Sequence, residues 1–317
     1  KIHGWMYVSD SNNNRLLIYS SIPTTSGANA TYVVGQANFT TVTGAQAANK
    51  VNSTRGVFAN NSYLWVPDIT YHQIKRFNLP ISASNPSATN QVGGYDFVTG
   101  YANSRNNSST SNHEFYRPYS SIIVGTKLIV ADTSNNRVLI WNTLPTTDNQ
   151  QADVVIGHND FTTTTYNDPA VGAAGRLRFP TDVNSDGTNL IVTDQSNHRV
   201  LIFPSIPTSN GALATKVLGQ TTYTAISSNR GTGVAAGTLS SPNATFISGD
   251  KLYVADYGNN RVLVWNNYNT AASGQNADFV FGQPALNVNT ANNGGRSAST
   301  LSGPRSIIEA NGKLLIV

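Results

Sequence analysis

A pattern of sixteen residues recurs along this chain and limits the folds open to it more than any other feature. The pattern reads KLYVADYGNNRVLVWN over residues 251–266, with copies at 127–142, 189–204 and 5–20 and a degraded copy at 63–78. In each copy two short apolar runs flank a polar turn that is usually rich in Asn. The runs are too short for helices and lack a 3.6-residue stripe, so they predict β-strands. A repeat decides the whole architecture, and the sequence therefore predicts an all-β repeat protein.

Two further markers keep the same period and divide the chain into units. The spacings between the Asp residues that end the first run are 58, 64, 62 and 62. A Gly, usually followed by Gln, ends the last apolar run of each unit, at Gly35, Gly93, Gly157, Gly219 and Gly282. We expect repeats over about residues 1–50, 51–115, 116–177, 178–239 and 240–301, with a partial repeat over 302–317. Together they are expected to form a single domain over residues 1–317.

Each full unit contains four apolar runs joined by turns, which matches the four strands of a β-propeller blade. The first unit has three such runs, the next four units have four each and the last has two, which gives twenty-one strands. The predicted fold is therefore an all-β β-propeller of four-stranded antiparallel blades, six-bladed, with the last and first blades incomplete. An open propeller exposes unpaired strand edges. We therefore expect these residues to be part of a longer chain.

The repeat resembles a known family. LYVADYGNNRVLVWN resembles the NHL-repeat β-propeller family, and the (A)D-V-V-x-G-Q element resembles the fourth-strand signature of its bacterial secreted and surface members. The resemblance covers essentially the whole chain and implies six blades. Two departures stand out: the repeats are about 60 residues long, longer than the usual NHL unit, and Gln73 replaces the Arg in the second copy.

An Asp and an Arg face each other across the turn in four of the five copies. The pairs are Asp10 and Arg15, Asp132 and Arg137, Asp194 and Arg199, and Asp256 and Arg261. A residue that repeats with the fold usually serves the fold, so we interpret these pairs as structural and not as a ring of acidic ligands. Asp68 is expected to contribute less stability, since Gln73 cannot form an ion pair with it.

The sequence offers no assembled catalytic or metal site. It contains no cysteine and no Gly-x-Ser-x-Gly or His-Glu-x-x-His motif. Its five histidines fall in turns and at strand ends, at His3, His72, His113, His158 and His198. His72 and His198 take a turn position that Asn holds in the other copies. No catalytic residue, metal ligand or cofactor is therefore predicted, and a divalent ion in the central channel belongs only to the enzyme alternative below.

Four arginines and a tyrosine near the start of strand one are the candidate binding residues: Arg55, Tyr116, Arg117, Arg178 and Arg305. Strand one is innermost in a propeller, so these side chains could surround the mouth of the channel and attract an anion. In the alternative interpretation, the arginine stems cover neighbouring apolar surface.

The leading functional hypothesis is a non-enzymatic interaction or structural module that presents its long loops to a protein or glycan partner, with self-assembly as a further option. These loops are Ala37–Thr54, Val98–Arg117, Thr162–Phe179, Thr221–Ser241 and Ala285–Gly303. One alternative is a metal-dependent lyase or lactonase, and another is an RNA-binding propeller. The 20 Lys and Arg are scattered without a run, which argues against nucleic acid. Scarce Lys and Glu favour an extracellular or cell-surface location, and no apolar stretch is long enough to span a membrane.

Overall fold

The computed structural model describes residues 4–94, 96–98, 111–310 and 312–317. The chain divides into two compact units. Unit 1 comprises residues 1–155 and 161–164, and unit 2 comprises residues 156–160 and 165–317. The expectation of one domain over residues 1–317 stays a prediction. His3 and residues 99–110 of the loop Val98–Arg117 lie outside the described residues.

Unit 1 contains three antiparallel sheets whose strands pair in chain order. Blade 1 has three strands, β1 (Met6–Asp10), β2 (Arg15–Tyr19) and β3 (Tyr32–Val34). Blade 2 has four, β4 (Phe58–Ala59), β5 (Tyr63–Asp68), β6 (Gln73–Asn78) and β7 (Asn90–Val92). Blade 3 has β8 (Pro118–Val124), β9 (Lys127–Asp132), β10 (Arg137–Trp141) and β11 (Val154–Ile156), the last residue of which belongs to unit 2.

Unit 2 repeats the same up-and-down order. Blade 4 has β12 (Pro180–Ser185), β13 (Leu190–Asp194), β14 (Arg199–Phe203) and β15 (Lys216–Leu218). Blade 5 has β16 (Ala244–Ser248), β17 (Lys251–Asp256), β18 (Arg261–Trp265) and β19 (Phe279–Phe281). A two-stranded hairpin follows, with β20 (Ile307–Ala310) and β21 (Lys313–Ile316).

The predicted four-stranded antiparallel β-propeller blade is confirmed, and the described residues contain the twenty-one expected strands. The number of blades differs from the prediction. Five sheets have three or four strands, so the structure has five blades and not six. The reason is that the last repeat supplies only strands one and two, which pair as a hairpin.

Among the described residues, helix is limited to short 3-10 turns, four of which follow the repeated Asp. None of the helices there is long and apolar enough to cross a membrane. Each of these four turns ends at a residue with left-handed backbone, namely Asn14, Asn136, His198 and Asn260. Asn adopts this backbone more readily than most residues, which explains the Asn-rich turns of the repeat.

The core lies between the faces of successive sheets within each unit. In unit 2, Val200 and Ile202 of β14 pack with Leu252 and Val254 of β17. The strand-two segments 128–131 and 190–193 are buried throughout, as their unbroken apolar character predicts. The segment 252–255 differs at Tyr253, which is only partly buried. Tyr253 packs in the cluster beside the hairpin, and this two-stranded sheet offers less cover than a full blade.

Candidate functional site

The repeated Asp of each hairpin is surrounded by donors, as blade 3 shows. Asp132 Oδ2 accepts from Arg137 Nε at 2.7 Å and from Asn135 Nδ2 at 2.8 Å. Its other oxygen, Oδ1, accepts from the backbone N–H of Tyr116 at 2.7 Å. Burial raises the pKa of Asp132, and the charge of Arg137 opposes that shift. The carboxylate is thus fully engaged inside the protein.

The paired arginine joins the hairpin to both long loops of its blade. Arg137 Nη2 donates to the carbonyls of Ser111 (3.0 Å) and Glu114 (2.7 Å), which precede strand one. Arg137 Nη1 donates to the carbonyl of Phe161 at 2.5 Å, which follows strand four. The pair therefore fixes the incoming and the outgoing loop on the turn of the hairpin.

The same geometry recurs in the other blades. Arg199 Nε lies 2.7 Å from Asp194 Oδ2, and Arg261 Nε lies 2.8 Å from Asp256 Oδ2, with all four side chains buried. Blade 1 is more open. Its Arg15 and Asp10 side chains are 16% and 24% exposed, although their ion pair is 2.6 Å long.

Blade 2 corrects the expectation for Asp68. Gln73 indeed forms no ion pair, but Lys75 replaces the missing arginine, with Nζ 3.0 Å from Asp68 Oδ2. Residues two apart on a strand point to the same face, so the side chain of Lys75 reaches the carboxylate from the position next to Gln73 on that face. Both side chains of the pair are completely buried. Asp68 is therefore as fully paired as its counterparts in the other blades.

The histidines in the turns act as hydrogen-bond acceptors. His72 Nδ1 accepts the backbone N–H of Arg117 at 3.1 Å, and His198 Nδ1 accepts that of Ser241 at 2.9 Å. In blade 1 the carbonyl oxygen of the Asn14 side chain accepts the N–H of Ser53 in the same way. Each bond ties the turn of one blade to the segment that leads into strand one of the next blade.

A histidine can accept a hydrogen bond at Nδ1 only while its ring is neutral. Burial, with a smaller contribution from the Arg117 guanidinium, lowers the pKa of His72 to about 4. Burial and the charge of Arg178 also lower the pKa of His198, and the charge of Asp194 partly opposes this shift. A third histidine, His158, is buried and contacts Asp168, with Nδ1 and Oδ2 3.3 Å apart. Among the described residues, no three His, Cys, Asp or Glu side chains are placed to hold a metal ion.

A pH titration tests the role of His72. Between pH 6.5 and pH 4 the unfolded chain binds a proton at His72 that the folded chain does not, so stability should fall as the pH falls. We expect a loss of about 2 kcal/mol, because the partial exposure of the ring reduces the full effect. His72→Asn keeps an acceptor that the repeat itself uses in this position and removes the titration. Urea unfolding at pH 7, 6 and 5 should therefore show a shallower pH dependence for the variant than for the wild type. Parallel curves for the two proteins would contradict this role.

Three of the predicted binding residues come together in unit 1. The guanidinium carbon of Arg55 lies 4.7 Å from the ring centroid of Tyr119, and that of Arg117 lies 5.8 Å from the same centroid. Tyr116 is 39% exposed and meets the ring of His72 edge-on, with the centroids 5.2 Å apart. We call Arg55, Arg117, Tyr119, Tyr116 and His72 the arginine–tyrosine cluster.

The other two predicted arginines stack on separate tyrosines in unit 2. Arg178 lies 4.7 Å from the ring centroid of Tyr166, and Arg305 lies 4.8 Å from that of Tyr257. Sequence reasoning missed both tyrosines. Tyr166 lies in a long loop and Tyr257 in a turn, and neither recurs with the repeat, so no periodic signal could have identified them.

The long loops lie against the Asn-rich turns of their own blades. Gln220 Nε2 donates to the carbonyls of His198 and Ser227, at 3.2 and 2.9 Å. Asn136 Nδ2 and Asn260 Nδ2 each donate, at 2.9 Å, to a carbonyl of the loop that follows strand four. In unit 2 the loops also line a small cleft of about 180 Å³, formed by Asn167, Arg176, Arg199, Tyr223, Thr224 and Ile226.

Comparison with known proteins identifies the fold. No family model matches the sequence, and no curated protein matches it. A solved streptogramin B lyase aligns with 99% of this chain and 72% of its own, with a TM-score of 0.51 at 12% identity. Virginiamycin B lyase from Staphylococcus aureus gives a TM-score of 0.47 at 12% identity over 86% of this chain. A chain of the nidogen/laminin complex gives 0.48 at 13% identity over 88% of this chain and 75% of its own.

This chain spans only 65% of the length of the Staphylococcus aureus lyase. At 12% identity, the likeness to the streptogramin B lyase structure shows the fold alone. The likeness to the streptogramin B lyase structure and the repeated four-stranded blades agree, and the chain has the β-propeller fold.

Proposed function

We propose that this chain is a non-enzymatic propeller of the NHL type, exported or displayed on a bacterial cell surface, that contacts a protein or glycan partner through its long loops. The NHL assignment is supported by the hairpin itself. The Asp and Arg of the repeat pair directly across the turn, at 2.7 Å in blades 3 and 4.

One observation favours a binding role over a catalytic role: the repeated carboxylates and the turn histidines are engaged in structural hydrogen bonds. The repeated carboxylates accept from arginine or lysine, amide and backbone donors and are buried in blades 2 to 5. His72 and His198 accept backbone N–H groups. The arginines of the arginine–tyrosine cluster are stacked on an aromatic ring instead. Groups that could transfer protons thus serve the scaffold, and cationic and aromatic groups remain near the surface.

The long loops support the same proposal. They differ in sequence between repeats, but hydrogen bonds from the repeated Arg, Gln and Asn side chains hold them on the blades. Variable loops on a rigid scaffold are where binding usually occurs. Exposed apolar side chains on these loops, such as Tyr166 (56% exposed) and Ile226 (41%), could contribute contact area.

Substitution of these loop residues tests the proposal. The purified chain is screened against a panel of immobilised glycans and extracellular proteins, and its affinity for each partner it retains is measured. Tyr166→Ser with Ile226→Ser should weaken binding about tenfold, because large exposed side chains commonly dominate an interface.

A matched control removes two apolar side chains of similar exposure from strands β19 and β20. Phe281 is 39% exposed and Ile308 is 42% exposed, and Phe281→Ser with Ile308→Ser should leave the affinity unchanged. Loss of binding in this control but not in the loop variant would place the contact elsewhere. Retention of no member of the panel would count against a binding module.

A further inference from the structure

Two guanidinium groups in unit 1 lie over one tyrosine ring without a carboxylate partner. Arg55 and Arg117 both stack on Tyr119, and neither forms an ion pair with any Asp or Glu of the described residues. A guanidinium stacked on a ring is held in position while the N–H donors in its plane stay available. Two cations held close together without neutralisation favour an anionic ligand.

Sequence information strengthens this point. The part of the neighbouring loop that lies outside the described residues, 99–110, contains Arg105 and no Asp or Glu. It therefore supplies no negative charge that could neutralise Arg55 and Arg117.

His72 adds a third donor to the cluster. Its Nδ1 accepts the backbone N–H of Arg117, so the neutral ring carries its proton on Nε2. Since its pKa is lowered to about 4, the ring is neutral at pH 7 and keeps this tautomer. Beside it lies the exposed ring of Tyr116. The cluster thus combines the N–H donor of one imidazole ring and the donors of two guanidinium groups with the flat apolar surface of Tyr116.

We propose that the arginine–tyrosine cluster binds an anionic sugar unit, one that carries a carboxylate or a sulfate, within an acidic polysaccharide. The anionic group accepts from the guanidinium N–H groups of Arg55 and Arg117, in the charge-assisted geometry that arginine provides. The C–H face of the pyranose ring packs on Tyr116. A polymer of acidic residues alone, such as polyglutamate, would use the guanidiniums but presents no ring face to Tyr116. This inference rests on the proposed binding function and names the ligand class and the site.

The test uses substitutions that the other blades already contain at these positions. Arg117 has left-handed backbone, with φ of 57°, and Ser241 holds the equivalent position in blade 5 with φ of 47°. The double variant Arg55→Thr with Arg117→Ser should therefore fold, since Thr181 is the counterpart of Arg55 in blade 4. Far-UV circular dichroism and a urea midpoint equal to that of the wild type check this.

Binding is measured for the whole chain at physiological ionic strength, with polygalacturonate, heparin, polyglutamate and neutral dextran as probes. We expect the wild type to bind polygalacturonate or heparin, and the double variant to bind it at least about tenfold more weakly. Polygalacturonate and heparin distinguish the carboxylate from the sulfate. The chain carries a net charge of +4, so non-specific attraction requires its own control. Lys251→Ser with Lys313→Ser removes two exposed charges from strands β17 and β21 of unit 2, outside the long loops, and should retain wild-type affinity.

Three results would overturn the assignment. Equal losses in the two double variants would show attraction to net charge alone. Equal affinity for polyglutamate and for the polysaccharides would show an anion site without sugar selectivity. Failure of the wild type to bind either acidic polysaccharide would exclude this ligand class. Binding of other partners through the loops of unit 2 would still stand in that case, so the two proposals fail separately.

Discussion

Lys75→Met is expected to lower the free energy of unfolding by about 3–5 kcal/mol, because it leaves the buried carboxylate of Asp68 without its counter-charge. Nζ of Lys75 lies 3.0 Å from Asp68 Oδ2, and neither side chain is exposed. The same Nζ donates to the carbonyls of Ala47 (3.0 Å) and Lys50 (2.6 Å). The substitution therefore removes the ion pair and leaves the carbonyls of two partly buried residues without this donor. Urea unfolding at pH 7 measures the loss.

The loss should depend on pH. Burial already raises the pKa of Asp68, and Lys75 opposes this shift. Without Lys75 the folded chain holds a proton on Asp68 at a pH where the unfolded chain has released it. The variant then becomes less stable relative to the wild type as the pH rises. We expect a smaller difference between the two proteins at pH 5 than at pH 7.

Gln73→Met is the matched control, since it changes the neighbouring buried residue on the same face of the strand. Neither side-chain nitrogen nor oxygen of Gln73 has a hydrogen-bond partner among the described residues. Replacing an unsatisfied buried amide with an apolar side chain should be neutral or stabilising. Asp68→Asn together with Lys75→Met should recover much of the loss, because no buried charge remains. An equal loss for Gln73→Met and Lys75→Met would contradict the role given to Lys75.

The sequence predicted the strands because each repeat carries its own signals. Apolar runs identified all twenty-one strands, and the spacing of Asp132 and Arg137 predicted the two sides of a hairpin. The pairing of Lys75 with Asp68 was not predicted, because the Asp-to-Arg spacing of the other repeats points to Gln73 in this blade. The alternation of side chains along a strand was the signal that could have found it.

Contacts between blades were less accessible to sequence reasoning. Arg55 and Tyr119 belong to different repeats, and only the packing of successive blades brings them together. The predicted arginines were chosen from their position near strand one, which is a property of a single repeat. Which tyrosine each arginine meets depends on loops such as 157–179, whose sequences do not repeat. The number of blades likewise depends on how sheets assemble, and the prediction of six differs from the five observed.

Gly219→Ala is expected to cost about 2–5 kcal/mol, for two separate physical reasons. Gly219 ends strand four of blade 4 with φ of 89°, a left-handed backbone that costs an L-residue about 1–2 kcal/mol. A Cβ at this position would also lie 2.6 Å from Leu239 Cδ1 and 2.8 Å from the carbonyl oxygen of His198. Leu239 cannot move freely because it is buried in the core between blades 4 and 5. The second neighbour is a backbone atom of the hairpin turn, which cannot rotate away as a side chain can. Overpacking of this kind typically costs about 1–3 kcal/mol more.

Gly249→Ala separates the two reasons. Gly249 lies in the turn between β16 and β17 with φ of 57°, and a Cβ there would meet nothing within 4 Å. Its substitution should therefore cost only the backbone contribution of about 1–2 kcal/mol. Gly219→Ala with Leu239→Ala should not restore stability fully, because the backbone carbonyl of His198 still blocks the Cβ. The urea midpoints of the two single variants give the packing contribution by difference. Equal midpoints would mean that the glycine ending each blade is required by its backbone conformation alone, and that the contact with Leu239 adds nothing.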